Sequence, residues 1–370
     1  MNFTNSSFSD RFQGASVIIT GHTGFKGAWL CTWMKQLGAR VTGIALDPVT
    51  VPSHYAAAQV GDGITDLRID IRNQATLEDA IVSAQPDFVF HLAAQAIVRC
   101  SYDDPVETWQ TNVFGTLHVL EALRKLKKPC YAVIITSDKC YDNVEWVWGY
   151  RESDALGGPD PYSASKGAAE LLIKSHIKSF FPKANSNVRI ASARAGNVIG
   201  GGDWSVDRII PDCVKAWSSG NSVELRNPSS TRPWQHVLEP LSGYLNLALA
   251  LSLQPELHGD PFNFGPSAHR TYSVLELVEQ MALHWDEVRW RDVSQSSLGP
   301  YESGLLKLNC DKALHYLGWH ALLDFEDTVR LTTEWYRSYY ENPSEIAATT
   351  RLQIAAYMTT AKQRGLPWAQ

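Results

Sequence analysis

Ser137, Asp138 and Lys139 stand in a row, and Tyr162-Ser163-Ala164-Ser165-Lys166 follows downstream. A Ser, a Tyr and a Lys in this kind of arrangement are the groups that oxidise an alcohol against a nicotinamide. Tyr162 and Lys166 are four residues apart, so on a helix they share one face, and Pro161 suits the first helical position. The Lys ammonium, a cationic nicotinamide and the helix N-terminus all favour phenolate, so the expectation is a Tyr162 pKa below that of an ordinary phenol. Tyr162 then takes a hydroxyl proton while hydride leaves the same carbon. Ser137 orients that hydroxyl, and Lys166 also holds the nicotinamide ribose. The acid and amine at Asp138-Lys139 exceed what hydride transfer needs. They point to a dehydration run on a borrowed hydride.

The nicotinamide is expected from the first forty residues. Ser16-Val17-Ile18-Ile19-Thr20 is an apolar run of strand length, Gly21-His22-Thr23-Gly24-Phe25-Lys26-Gly27 follows at once, and Trp29, Leu30, Trp33, Met34 and Leu37 recur at helical spacing. Strand, glycine turn and helix are the context of a dinucleotide site. Gly21 permits the tight turn, Gly24 lets the backbone approach a pyrophosphate, and Gly27 lets the helix pack on the strand. The helix N-terminus offers N–H groups and a positive dipole end to the phosphates. The whole stretch from Gly21 through His22, Thr23, Gly24, Phe25 and Lys26 to Gly27 is therefore assigned to the cofactor. A second strand over 40–45 leads to Asp47-Pro48, where Asp47 either reaches a ribose hydroxyl or starts the turn that Pro48 continues. With no Arg at that strand end to welcome a 2′-phosphate, NAD is the expected cofactor. Asp70-Ile71 lies after the third strand, where this topology holds the adenine.

These groups need elements to carry them. The sequence predicts strands over 66–69, 88–91, 132–136 and 188–193, and helices over 74–84, 105–127, 161–181 and 238–253. Alternation of this kind makes a parallel, doubly wound α/β sheet of Rossmann type. Catalytic groups at the carboxyl ends of its strands then converge on one edge. Beyond Gly196 the pattern becomes loop-rich, with Gly200-Gly201-Gly202 and the polar, aromatic run 227–234, and short strands are expected at Phe262-Asn263-Phe264 and Leu306-Lys307-Leu308. The expected organisation is an NAD-binding domain over 1–195 with 236–258 returning to it. A smaller, discontinuous α/β substrate domain over 196–235 and 259–342 follows, then a helical tail over 343–370.

Length and composition limit the alternatives. A chain of 370 residues is long enough for one large or two fused domains with real cores. A 44% hydrophobic, 19% charged composition is that of a soluble globular protein, and a net charge of −6 without basic runs argues against nucleic acid and anionic membranes. The polar start carries no apolar core of a secretion signal, and no stretch of about twenty apolar residues exists to span a bilayer. Cys31, Cys100, Cys130, Cys140, Cys213 and Cys310 are scattered without C-x-x-C spacing, as expected of reduced thiols in a cytoplasmic enzyme. No His/Cys/Asp/Glu spacing suggests a metal. An acidic protein that binds a diphosphate needs local Arg, and Arg208 and Arg232 are the best bidentate clamps.

The glycine turn, His91-Leu92-Ala93-Ala94-Gln95, Asn112 and the Ser-Tyr-Lys set together resemble the extended short-chain dehydrogenase/reductase family, over nearly the whole chain. Within it, 20–27, 136–143, 148–152, 194–204 and 232–244 are most similar to the branch that holds the CDP-glucose 4,6-dehydratases. That resemblance implies CDP-glucose as substrate, oxidation at C4, loss of the C5 proton and C6 hydroxyl as water, and return of hydride at C6. It implies Asp138 as the acid for C6 and Lys139 as the base for C5, in place of the Asp-Glu of the related dTDP-glucose enzymes. A Lys base must be neutral and an Asp acid protonated, the reverse of what neighbouring charges favour, so the pair is expected to titrate as one unit. The resemblance also places Leu92, Ala93 and Ala94 against the cofactor and Gln95 near the substrate; Asn197 is expected to meet the nucleotide diphosphate or sugar where the chain crosses between domains, with Arg99 and Tyr301 weaker candidates. It implies a homodimer through the helices 105–127 and 161–181, and a product that feeds deoxysugars of surface polysaccharide such as lipopolysaccharide O-antigen. Two rival readings stay open here: a nucleotide-sugar 4-epimerase, which needs no acid-amine pair, and a non-catalytic dinucleotide-binding scaffold.

Overall fold

The computed structural model describes residues 7–182, 186–267, 271–294 and 305–369. Seven strands form its central sheet: β1 (Ser16–Thr20), β2 (Arg40–Ala45), β3 (Thr65–Arg68), β4 (Phe88–His91), β5 (Cys130–Ile135), β6 (Val188–Ala195) and β7 (Pro261–Phe264). Their spatial order is β7-β6-β5-β4-β1-β2-β3 and every pairing is parallel. The strands β1, β4 and β5 read as apolar runs because both faces are covered: residues 17–20, 88–91 and 132–135 are all buried. The order reverses between β1 and β4, and there the carboxyl ends open a crevice.

One face of the sheet packs on the helices Phe25–Gln36 and Leu238–Leu253, through Trp29, Trp33, Leu241 and Leu245, and Ile346–Gln363 packs in turn on Phe25–Gln36. The other face packs on Gln74–Ala84, Thr116–Arg124 and Pro161–Phe180, through Leu77, Ile81, Leu120, Leu123 and Ile173. The helix Leu238–Leu253 packs on β5 and β6, and its near-total burial explains its apolar sequence.

Three expectations are corrected. Phe262-Asn263-Phe264, assigned to the smaller domain, is β7, the outermost strand of the central sheet beside β6. The helix expected over 105–127 is composite: Pro105–Trp109, then a π-helical turn over Gln110–Gly115, then Thr116–Arg124. Periodicity alone does not register the extra residue of a π turn. Leu306-Lys307-Leu308 forms no strand, only an isolated bridge from Leu308 to Tyr150.

The smaller lobe is built from the helices Ile209–Ser218 and Val274–Met281 and two-stranded pairings between Val223–Leu225 and Trp290–Asp292 and between Thr231–Arg232 and Tyr272–Ser273. The tail is integral to the large lobe. Tyr357 packs on Trp33 and Trp368 stacks on Phe8. Buried Glu239 accepts from the backbone N–H of Leu322 and Leu323 and from the Tyr357 hydroxyl.

Candidate active site

Gly21 ends β1 in the left-handed region at φ +74°, and a Cβ there would sit 2.7 Å from the Ala93 amide nitrogen. A Cβ on Gly27 would overlap the Gly21 carbonyl. Gly24 caps the Phe25–Gln36 helix with extended backbone and no side-chain cap, leaving the first-turn N–H groups facing the crevice mouth. Leu92 and Ala93 close the opposite wall, donating to the Thr20 carbonyl and Thr20 Oγ1. This cradle of backbone, reachable only without side chains, fits a dinucleotide pyrophosphate. His22 points away from it, buried beneath Gly43, with Nε2 2.9 Å from Asp66 Oδ1. His91 is also structural: Nδ1 and Nε2 meet Thr20 Oγ1 and Thr116 Oγ1, and burial, then Lys166, hold its pKa at about 3.

At the corner beyond β2, Asp47 is exposed and lies 3.4 Å from Arg68 Nε. The expectation of no Arg at this corner is thus corrected, because β3 delivers one that β2 does not show. Arg68 also binds Asp66 and the Leu46 carbonyl, so its donors are engaged. Asp70 is held by Arg72 through Nε and Nη2, and Ile71 is buried against Gly115 in the π turn.

The strand β5 delivers Ser137 and Asp138 to the carboxyl edge, and the Pro161–Phe180 helix delivers Tyr162 and Lys166. Asp160 caps that helix through the Ser163 N–H, with Pro161 in the first turn. Ser137 Oγ donates to Asp138 Oδ1 at 3.0 Å, and the Lys139 N–H donates to Ser137 Oγ at 3.2 Å. Lys166 Nζ lies 5.8 Å from the Tyr162 ring centroid. Burial pushes the Tyr162 phenol up to about 12, with Asp138 adding to the rise and Ser137 and Arg208 opposing it. The expected lowering is therefore not a property of the protein groups alone, because desolvation outweighs them. Burial and the neighbouring Lys26 bring Lys166 down to about 8.

Lys26 is the residue whose place the sequence did not convey. It was assigned to the phosphate turn, yet its Nζ reaches Tyr244 Oη at 3.5 Å in the crevice floor. Desolvation, then Arg208, lower it to about 8, with Asp138 working the other way. A turn lysine thus lies within electrostatic reach of Asp138, the candidate acid.

Behind these groups lies a polar network that sequence reading missed. Glu170 accepts from Thr136 at 2.5 Å, Ser192 at 2.9 Å and Arg194 at 2.8 Å, and Arg194 donates to Tyr141. Burial opposes charge on both partners, yet their attraction leaves Glu170 lowered and Arg194 raised. Glu170 follows Lys166 by one helical turn, so the spacing Tyr162, Lys166, Glu170 was its available signal. Gly196 completes the pocket: a Cβ there would lie 2.7 Å from Asp138 Oδ1 and nearer still to Oδ2.

The remaining predicted residues divide. Arg208 pairs with Asp203 at 3.4 Å and acts electrostatically on both Lys26 and Tyr162, so it faces the site. Asn197, at φ +42°, leaves the end of β6 beside it. Arg232 sits half-buried in its short pairing with Tyr272, donating to the Thr231 carbonyl. Gln95 does not offer a free amide: Nε2 donates to the Ile97 carbonyl and Thr108, while Asn112 in the π turn binds its backbone and Ser165. Arg99 is an exposed partner of Asp207. Tyr301 lies outside the described residues. Among the described residues no group of three or more His, Cys, Asp or Glu is placed to hold a metal ion, and no helix is long and apolar enough to cross a membrane.

The chain is similar to known proteins in sequence and in fold. A family model described as GDP-mannose 4,6 dehydratase matches residues 18–332. The CDP-glucose 4,6-dehydratase of Salmonella typhimurium is 44% identical over 352 residues, covering 94% of this chain and 97% of the relative. Among solved structures, the epimerase Mth375 from Methanothermobacter thermautotrophicus superposes with a TM-score of 0.75 at 21% identity, over 93% of this chain and 99% of its own. The UDP-glucuronic acid 4-epimerase of Bacillus cereus, solved with UDP-glucuronic acid and NAD, gives 0.74 at 20% identity, over 88% and 99%. These two share the fold. The matched stretch runs from within β1 into the Phe325–Glu341 helix and takes in every catalytic candidate, so the chain belongs to the GDP-mannose 4,6-dehydratase family.

Proposed function

We propose that this protein is an NAD-dependent CDP-glucose 4,6-dehydratase, a hydro-lyase that converts CDP-D-glucose to CDP-4-keto-6-deoxy-D-glucose and water. The observation that carries the reading is a buried Asp138 that is hydrogen-bonded to Ser137 and close enough to Tyr162 to raise its pKa. An epimerase site has no use for that acid, and a scaffold has no use for the intact Ser-Tyr-Lys set. The nucleotide follows the Salmonella relative. NAD, when bound, takes the C4 hydride and gives it back at C6. Tyr162 removes the C4 hydroxyl proton while Ser137 orients that hydroxyl, and the resulting ketone acidifies C5. Lys139 takes the C5 proton and later returns it, and Asp138 protonates the departing C6 hydroxyl. Arg208 and Arg232 clamp the diphosphate, Asn197 meets the sugar nucleotide, and Lys166 holds the cofactor ribose.

The chain acts as a homodimer in this reading. Tyr102, Val106, Trp109 and Phe114 are exposed apolar side chains along the composite helix region, as are Leu171 and Phe180 on Pro161–Phe180, and such a face is covered in stable proteins. Six unpaired cysteines fit a reducing cytoplasm, where the product would feed deoxysugars for surface polysaccharide such as O-antigen. The test is incubation with CDP-glucose and catalytic NAD, following product mass and the alkaline absorbance of a 4-keto sugar. Loss of one water without net NADH supports the reading. An alcohol product of unchanged mass would make the protein an epimerase.

A further inference from the structure

The catalytic candidates rest on supports of two kinds. Ser137 lies just beyond β5, and Tyr162 and Lys166 stand on the long helix Pro161–Phe180, so regular elements fix all three. Asp138 and Lys139 belong instead to a single 3-10 turn over Asp138–Cys140. Its Cys140 N–H reaches the Ser137 carbonyl at 3.1 Å, and the Tyr141 N–H reaches the Asp138 carbonyl at 3.3 Å. Bonds of 3-10 type have poorer geometry than those of an α-helix, and so short a turn does not hold its own shape. A group placed to act on a reacting atom needs its support fixed to about half an ångström.

Tyr141, next in the chain and 1% exposed, supplies that support. Its hydroxyl accepts from Arg194 Nη1 at 2.7 Å and donates to Asn263 Oδ1 at 2.8 Å. Its ring stacks on Tyr150 with centroids 5.1 Å apart, and the Arg194 guanidinium carbon lies 4.9 Å from its centre. Each partner is tied down in turn. Arg194 stands on β6 and binds Glu170. Asn263 stands on β7, and its Nδ2 donates to the carbonyls of Tyr150 at 2.8 Å and Asn309 at 3.1 Å. The phenol therefore pins the exit of the turn to the two outermost strands of the sheet. None of these side-chain bonds involves Ser137, Tyr162 or Lys166.

Resting on the dehydratase reading, we infer that Tyr141 is a positioning residue for the elimination: its buried hydroxyl, held between Arg194 and Asn263, sets the Asp138–Lys139 turn for its work at C5 and C6, while C4 oxidation is left to the separately supported Ser137, Tyr162 and Lys166. Tyr141 itself takes no proton and touches no reacting atom. Without its hydroxyl the ring is free to slide on Tyr150, and the turn moves with it. A displacement of about 1 Å costs about a hundredfold in the step concerned. That cost falls on one step of the cycle. A tyrosine that only stabilised the fold would lower the amount of active enzyme and leave the balance between steps unchanged.

Isotopes in the sugar read that balance. Tyr141→Phe removes the hydroxyl and keeps the ring, and its kcat should fall about tenfold or more. Deuterium at C5 of CDP-glucose should then slow the variant more than it slows the wild type, and the effect of deuterium at C4 should shrink toward unity. Asn263→Ala leaves the Arg194–Tyr141 bond in place, so it tests the same anchor if Tyr141→Phe does not fold, and it should move both isotope effects in the same directions. Slowed variants with wild-type isotope effects, or with an enlarged C4 effect, would overturn the assignment. So would an undiminished kcat in both, or failure of both to fold, which would make the anchor structural only. Absence of 4-keto-6-deoxy product from the wild type would instead sink the dehydratase reading itself, so the two failures are distinguishable.

Discussion

Replacing Gly196 by Ala should remove activity through one atom. Gly196 follows β6 and lies outside the left-handed region, so Ala meets no backbone barrier there. Its methyl, however, would sit 2.7 Å from Asp138 Oδ1, with Cγ and Oδ2 closer. Ordinary contact requires about 3.5 Å or more, so the carboxyl must withdraw by roughly an ångström or more and lose its Ser137 hydrogen bond. A misplacement of that size lowers a rate by about a hundredfold, or about 2.7 kcal/mol of barrier. Because the far end of one side chain yields rather than backbone, the melting temperature should change little. The assay is kcat for 4-keto-6-deoxy product beside a thermal melt, with Asp138→Ala and the double variant completing a cycle. If Gly196 acts through Asp138, the double variant should be no slower than Asp138→Ala alone. A Gly196→Ala enzyme with near wild-type kcat, or a double variant slowed further by the full hundredfold, would refute the argument.

Glu170→Gln should destabilise the fold by about 3–5 kcal/mol, since it leaves the Arg194 charge buried and uncompensated; an unchanged denaturation midpoint would contradict this. Stability should also fall on acidification, because His54, His91 and His236 are fully buried and held at about 3. Their folded values lie below the ordinary 6.5, so the unfolded chain takes up protons the folded one refuses, and at pH 5.5 each imidazole weakens the fold by about 1.4 kcal/mol. Glu239, raised by burial to about 7, binds its proton more readily when folded and offsets about 2 kcal/mol of the three-histidine total. Urea midpoints at pH 7.5 and 5.5 measure the net loss, which a Glu239→Gln background should enlarge, and a midpoint that rises at pH 5.5 in that background would show the sign to be wrong. Glutamates at Val106 and Phe114, 63% and 53% exposed, should halve the mass measured by light scattering while leaving the circular dichroism unchanged. Full mass after both substitutions would place the subunit contact elsewhere.

The residues alone determined the reaction chemistry and the sheet that carries it. Ser137, Asp138, Lys139, Tyr162 and Lys166 were legible as candidates because reactive side chains at strand ends and one helical turn apart are local facts, and the Gly21–Gly27 turn is a local backbone demand. The strands β1, β4 and β5 were readable because burial on both faces leaves a continuous apolar run. Phe262-Asn263-Phe264 was visible as a strand but not as part of the large sheet, since pairing with β6 joins residues about seventy apart and leaves no periodic trace. The π turn that turns Asn112 toward Ser165 was invisible because one additional residue in a helix barely alters the pattern. Only the tertiary structure aimed Lys26 at the acid, set Gly196 against Asp138, tied Gln95 back on its own loop and gathered Glu170 with Arg194. The physical reason is common to all four. Charge, hydrogen bonding and steric exclusion act over a few ångströms of space, whereas a sequence records only distance along the chain.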